Sequence, residues 1–140
     1  MDQTAFQRIL LAYDGSEGAK KARDLAATLA RTGGGEVIVV TAFHPMPRVS
    51  TPDAEDVAEI HEARCLADWV VDSLAKEGIR AEPDVLEGPP AEAILNAADV
   101  HGTDIIVIGS RGRGPLAGLL MGSVSGHVVH YAKVPVLVVR

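Results

Sequence analysis

Ile105-Ile106-Val107-Ile108-Gly109-Ser110-Arg111-Gly112, followed after nine intervening residues by Gly122-Ser123, is the stretch that decides how this chain folds. Four apolar residues running into a glycine predict a strand covered on both faces. Beyond Gly122-Ser123, the spacing of Val124, Val128 and Tyr131 predicts a short helix. A glycine-rich connection between a buried strand and a helix start is a place where an anion can sit. Glycines let the backbone approach a phosphate, and the first helical N–H groups lack partners. The helix dipole adds roughly half a positive charge there.

The same alternation continues outward in both directions. Ile9-Leu10-Leu11-Ala12 and Val37-Ile38-Val39-Val40 are short apolar runs of strand type. Between them Asp14-Gly15-Ser16 makes a turn in which Ser16 or Asp14 can cap a helix. Ala22, Ala26 and Leu29 keep helical spacing from Ala19, and Gly33-Gly34-Gly35 ends it. A loop with Pro45, Pro47 and Pro52 leads to Asp53, a candidate cap for a long helix. That helix is expected to bury Val57, Ile60, Ala63, Ala67, Val70 and Leu74 on one face and to close at Gly78. Ala81 to Leu86 predicts a weaker strand, which Pro83 places towards a sheet edge. Pro89-Pro90 opens a helix with Ile94, Leu95 and Ala98, stopped at Gly102, and Val134 to Val139 is the last strand.

Five strands and four helices in strict alternation predict an α/β fold: an open five-stranded parallel sheet with helices on both faces and right-handed crossovers. Such folds bind ligands beyond the carboxyl ends of the strands, where the strand order reverses. Asp14 and Gly109 follow strands one and four, which are expected to be neighbours across that point.

Composition bounds the rest. The 140 residues suit one domain spanning 1–140, and 47% hydrophobic content argues against disorder. A net charge of -6 disfavours non-specific nucleic-acid binding. The single cysteine, Cys65, allows no disulfide within the chain and is expected as a small buried residue in a reduced, cytoplasmic protein. No basic leader or membrane-length apolar segment is read in the sequence, so no membrane partner is expected.

Catalytic patterns fit poorly. Gly15-Ser16-Glu17-Gly18-Ala19-Lys20 lacks the spacing of a phosphate loop, and Gly112-Arg113-Gly114 lacks the third glycine of a dinucleotide fingerprint. Gly122-Ser123-Val124-Ser125-Gly126 has valine where a nucleophile elbow needs serine. His127 and His130 share a helix face, but no carboxylate or cysteine beside them completes a metal set, so they are expected to face solvent or pack partly. Trp69 is expected in the core or at an interface rather than as a base-stacking platform. No catalytic residue and no protein-held metal site are assigned.

The Gly109-x-x-Gly112 and Gly122-Ser123 pattern resembles the nucleotide-binding signature of the universal stress protein family. Ile9 to Ser16 resembles that family's first strand and turn, and Val134 to Val139 is similar to its last strand, so the likeness runs the length of the chain. The resemblance implies a Rossmann-like fold of the adenine nucleotide alpha hydrolase type. It implies an ATP site in which Ala12 lines the base pocket, Asp14 lies near the ribose, and Ala42, after the second strand, meets adenine through its backbone. Gly109, Gly112, Gly122, Ser123, Val124 and Ser125 would surround the phosphates, with Mg²⁺ accompanying them. Ser123 is also placed to cap the last helix. Read from the residues alone, binding is favoured over a turn or cap role for Asp14 and over backbone geometry alone for the glycines, while Arg111 and Arg113 either screen phosphate or lie solvated.

The expected role is a nucleotide-binding stress-response or regulatory protein with at most slow hydrolysis, since neither a general base nor a lysine clamp accompanies the glycine loop. A cyclic AMP receptor or buffer is an alternative, because the glycine pattern does not distinguish one phosphate from three. Another is a scaffold without nucleotide. The apolar last strand predicts a homodimer built on Val136, Leu137 and Val138. Apolar loop residues Leu116, Leu119, Leu120 and Met121 would pack on a partner or on the domain. A nucleotidyl transferase or ATP pyrophosphatase of related fold needs a histidine or serine-glycine motif that the sequence lacks.

Overall fold

The computed structural model describes residues 6–43, 54–110 and 121–140. Nine elements alternate: β1 (Arg8–Ala12), α1 (Glu17–Gly33), β2 (Glu36–Phe43), α2 (Ala54–Ala75), β3 (Ala81–Glu87), α3 (Pro90–His101), β4 (Ile105–Gly109), α4 (Ser123–Tyr131) and β5 (Val136–Val139). All strand pairings are parallel, in the order β3-β2-β1-β4-β5. The doubly wound sheet expected from the alternation is therefore the one that forms.

Strand geometry sends successive side chains to opposite faces, and the two hydrophobic clusters follow that period. Ile9, Leu11, Val37, Val39, Ile105 and Val107 point towards α1 and α2. Leu10, Ala12, Ile38, Val40, Ile106 and Ile108 point towards α3 and α4. The buried positions of α1 are Ala19, Ala22, Ala26, Ala27 and Ala30, so no long side chain holds this helix away from the sheet. It lies over β1 and β4, whereas α2 lies over β2 and β3. Two glycines in left-handed conformation, Gly34 at φ 69° and Gly102 at φ 61°, end α1 and α3 where the pattern placed their stops.

Edge positions are as different as their sequences. β3 carries the exposed Glu82 and Pro83, whose charge and missing N–H blunt it as a pairing edge. On the opposite edge, Val136, Leu137 and Val138 of β5 are only half-buried. That strand starts two residues later than the apolar run, because Val134 and Pro135 precede the ladder.

Several expected burials fail for one reason, helical phase. Ala63, Ala67, Val70 and Leu74 of α2 are buried, but Val57 is 61% exposed, about a quarter-turn off that stripe at roughly 100° per residue. Trp69, next to the buried Val70, is 60% exposed and is not a core residue. Cys65 is exposed, because two steps from Ala67 carry it to the outward face. Tyr131 at the end of α4 is exposed too, with the His127 ring tilted against it and the His130 ring edge-on, at centroid distances of 4.7 and 4.6 Å. Both histidines face solvent.

Candidate functional site

The β1–β4 ladder ends at Leu11 opposite Val107. Beyond it, β1 stays with β2 through Ala12, and β4 stays with β5 through Gly109. The two central strands thus part at their carboxyl ends, which makes the crevice expected at a topological switch point. Tyr13 N–H still donates to Val40 O at 3.0 Å, and Ser110 N–H to Val139 O at 2.7 Å, so each wall is held by its own side of the sheet.

The first wall runs from Ala12 into the Asp14 turn. Asp14 Oδ1 accepts the Ser16 N–H at 2.9 Å, and Ser16 Oγ accepts the Ala19 N–H at 3.2 Å. Ser16 is therefore the cap of α1, and Asp14 shapes the turn that delivers it. The helix begins at Glu17, two residues before its first apolar position. Burial pushes the phenol of Tyr13 above its ordinary value of 10, so at neutral pH it adds no charge beside Asp14.

Gly109 closes the second wall, and its missing side chain is needed by the fold. A Cβ there would lie 2.8 Å from the Gly18 carbonyl carbon, 3.0 Å from Gly18 O and 3.2 Å from Ala19 N. The end of β4 thus touches the first turn of α1 backbone to backbone. This contact had no signal of its own in the sequence; Gly18 stood out only as part of a failed phosphate loop.

The start of α4 is built around Ser110, which the motif reading passed over. Its carbonyl accepts the Gly122 N–H at 2.5 Å and the Ser125 hydroxyl at 2.7 Å, and Ser125 Oγ also lies 3.2 Å from Gly122 O. Ser125 is buried, so its hydroxyl fastens α4 to β4 and does not face the crevice. Ser123 is exposed in the first turn, but the cap position is taken by Gly122, not by Ser123. Gly122 supplies no side-chain cap, and the first turn of α4 holds no acidic residue. α1, by contrast, has the Ser16 cap and Glu17, and α3 has Pro90 and Glu92. The start of α3 has no side-chain cap either, so among these three described helix starts α4 alone combines a missing cap with a first turn free of acid, and its positive dipole end is left uncompensated.

Ala42 lies within β2, not after it, in register with Leu86 and half-buried. Ala12, Asp14, Ala42, Gly109, Gly122, Ser123 and Val124 all belong to the carboxyl end of the sheet or to the helix starts beside it. Arg111, Gly112 and Arg113, the loop leucines, Pro45, Pro47, Pro52 and Asp53 lie outside the described residues. Among the described residues, no three histidine, cysteine or acidic groups converge as a metal set. The donors present fit a magnesium ion only as one carried in on phosphate oxygens and water, since Mg²⁺ seldom needs an all-protein cage. No described helix is long and apolar enough to cross a membrane.

Known proteins agree with this architecture throughout. The model of the universal stress protein family matches residues 5–140. A universal stress protein of Thermus aquaticus is 41% identical over 138 residues, covering 96% of this chain and 99% of that protein. A solved universal stress protein in complex with cAMP superposes with a TM-score of 0.76 at 28% identity, over 97% of this chain and 98% of the other. The universal stress protein from Archaeoglobus fulgidus in complex with dAMP gives 0.74 at 29% identity, over 97% and 99%. This chain belongs to the universal stress protein family.

Proposed function

We propose that the crevice between β1 and β4 binds an adenine nucleotide, with ATP accompanied by Mg²⁺ as the ligand in the cell. The observation that carries the reading is the uncapped start of α4, with no acidic residue in its first turn, set beside Gly109 where the central strands part. N–H groups of Ser123, Val124 and Ser125, which have no acceptor within the helix, suit phosphate oxygens, and the exposed Ser123 hydroxyl is a further donor. Gly112 and Arg111 would complete the phosphate side, while Ala12, Asp14 and Ala42 would meet the nucleoside. Relatives solved with cAMP and with dAMP support an adenine ligand in this fold. The cAMP complex also favours a second reading, a cyclic-nucleotide receptor or buffer.

The protein acts on this reading as a cytoplasmic stress-response regulator. Any hydrolysis is slow, and a homodimer forms by pairing the half-buried β5 edge through Val136, Leu137 and Val138. Calorimetric titration of nucleotide-free protein with Mg·ATP, repeated with saturating cAMP present, tests the ligand. Micromolar ATP binding little disturbed by cAMP is expected. Strong suppression moves the assignment to the cyclic nucleotide, and no binding in either run leaves the crevice as architecture. A monomeric mass in solution at micromolar concentration refutes the dimer.

A further inference from the structure

Five of the chain's six net negative charges sit on α2, which carries six carboxylates against one arginine, Arg64. The buried stripe of this helix packs on β2 and β3, so the opposite face is turned to solvent. Trp69, the chain's one tryptophan, stands on that face with more than half its surface exposed. Asp68 adjoins it and Asp72 follows nearly one turn later, both exposed. Neither aspartate has an ion-pair partner among the described residues, and Lys76 does not reach Asp72 as one. Spaced four apart, the two aspartates are like charges on neighbouring turns and repel each other.

An indole face beside two unpaired carboxylates matches one chemistry better than any other. A guanidinium stacks over the indole face and keeps its N–H donors in its own plane, parallel to the ring, where they reach carboxylates alongside. Residues three and four apart on a helix are about 5–6 Å from each other, within the reach of that planar fork. An apolar partner would bury the aspartates unpaired, and nucleic acid or an anionic bilayer would be repelled.

We propose that the outward face of α2 at Asp68, Trp69 and Asp72 docks an arginine-bearing basic segment of another protein. The guanidinium stacks on Trp69 while Asp68 and Asp72 bridge it. This face lies over β2 and β3, away from the β5 edge, and the docking needs neither a nucleotide nor a dimer.

Fluorescence anisotropy of a labelled arginine-serine repeat peptide, titrated with the full chain, tests the proposal. Saturable binding is expected, weaker for a lysine-serine repeat, and weakened further as salt rises. Trp69→Leu should raise Kd by about threefold, and Asp68→Asn with Asp72→Asn by about fivefold. Glu92→Gln with Asp99→Asn on α3 should leave it unchanged. Thermal melts of each variant establish that it remains folded. Absence of binding up to millimolar peptide, equal weakening by the α3 pair, or equal affinity for the lysine repeat each overturns the proposal.

Discussion

Replacing Gly109 by alanine separates two reasons for a glycine at the end of β4. The added methyl would stand 2.8 Å from the Gly18 carbonyl carbon and 3.0 Å from its oxygen. Nonbonded carbons settle at about 3.5–4.0 Å, so the start of α1 must retreat by ~1 Å. No side chain can rotate away, because both atoms met are backbone. The helix is also held where it is, by the Ser16 cap, the Asp14 turn and five alanines packed on the sheet. Overpacking of this kind costs about 1–3 kcal/mol. At about 2.1 cal/mol/K per residue of unfolding entropy, that lowers Tm by roughly 3–10 °C. Urea and thermal unfolding of nucleotide-free Gly109→Ala measure it, and titration with Mg·ATP provides the second readout. A variant that melts with the wild type refutes the packing argument. If it has also lost nucleotide affinity, the glycine serves the ligand and not α1.

Three other perturbations probe the frame around the crevice. Ser125→Ala removes the hydroxyl that ties α4 to Ser110 O, and should cost about 1 kcal/mol in urea unfolding without removing any donor exposed to the crevice. Asp104 Oδ2 accepts the N–H groups of Gln7 and Arg8, both at 2.9 Å, so Asp104→Ala should lose about 1–3 kcal/mol and speed hydrogen exchange at the start of β1. Glu77 is held below its ordinary value of 4.5, first by its hydrogen bond from Arg23 and then by the charges of Arg23 and Arg31, against some desolvation. A depressed carboxylate stabilises the fold above its unfolded-state value, and that contribution disappears as pH falls through the folded one. The stability gap between wild type and Glu77→Gln should therefore be full at pH 7 and should shrink as the solution is acidified below about 4.5; a gap independent of pH would refute the ion-pair assignment.

Continuous apolar runs and glycine stops made the sheet legible, because burial on both faces leaves a strand no other composition. The order β3-β2-β1-β4-β5 was legible only as far as β1 beside β4 and β3 at an edge, the latter through Pro83. Phase on the helices was harder to read. Val57 belongs by composition with Ile60 and Ala63, yet a rotation of roughly 100° per residue puts it outside the stripe. The same rotation carries Cys65 and Trp69 out of the core, which leaves Trp69 the interface half of its expectation. Hydrophobic character invites burial, but a helix over a sheet offers only one contact face.

The crevice itself divides along a different line. Motif spacing brought Gly109 and Gly122 to one end of the sheet, because strand–loop–helix order fixes where such residues must be. It did not reveal what each one does there, since that depends on partners distant in sequence. Ser125 looks like a ligand residue in the string, yet a carbonyl fifteen residues away takes its hydroxyl. Gly109 looks like a phosphate glycine, yet Gly18 on another helix already requires its missing side chain. Gly122 is the instructive contrast. It occupies the cap of α4 without supplying a capping group, in a first turn without acid, where serine or aspartate would satisfy the helix. A fold selected for stability alone gains from filling that position. Leaving it open favours a ligand that brings its own negative charge.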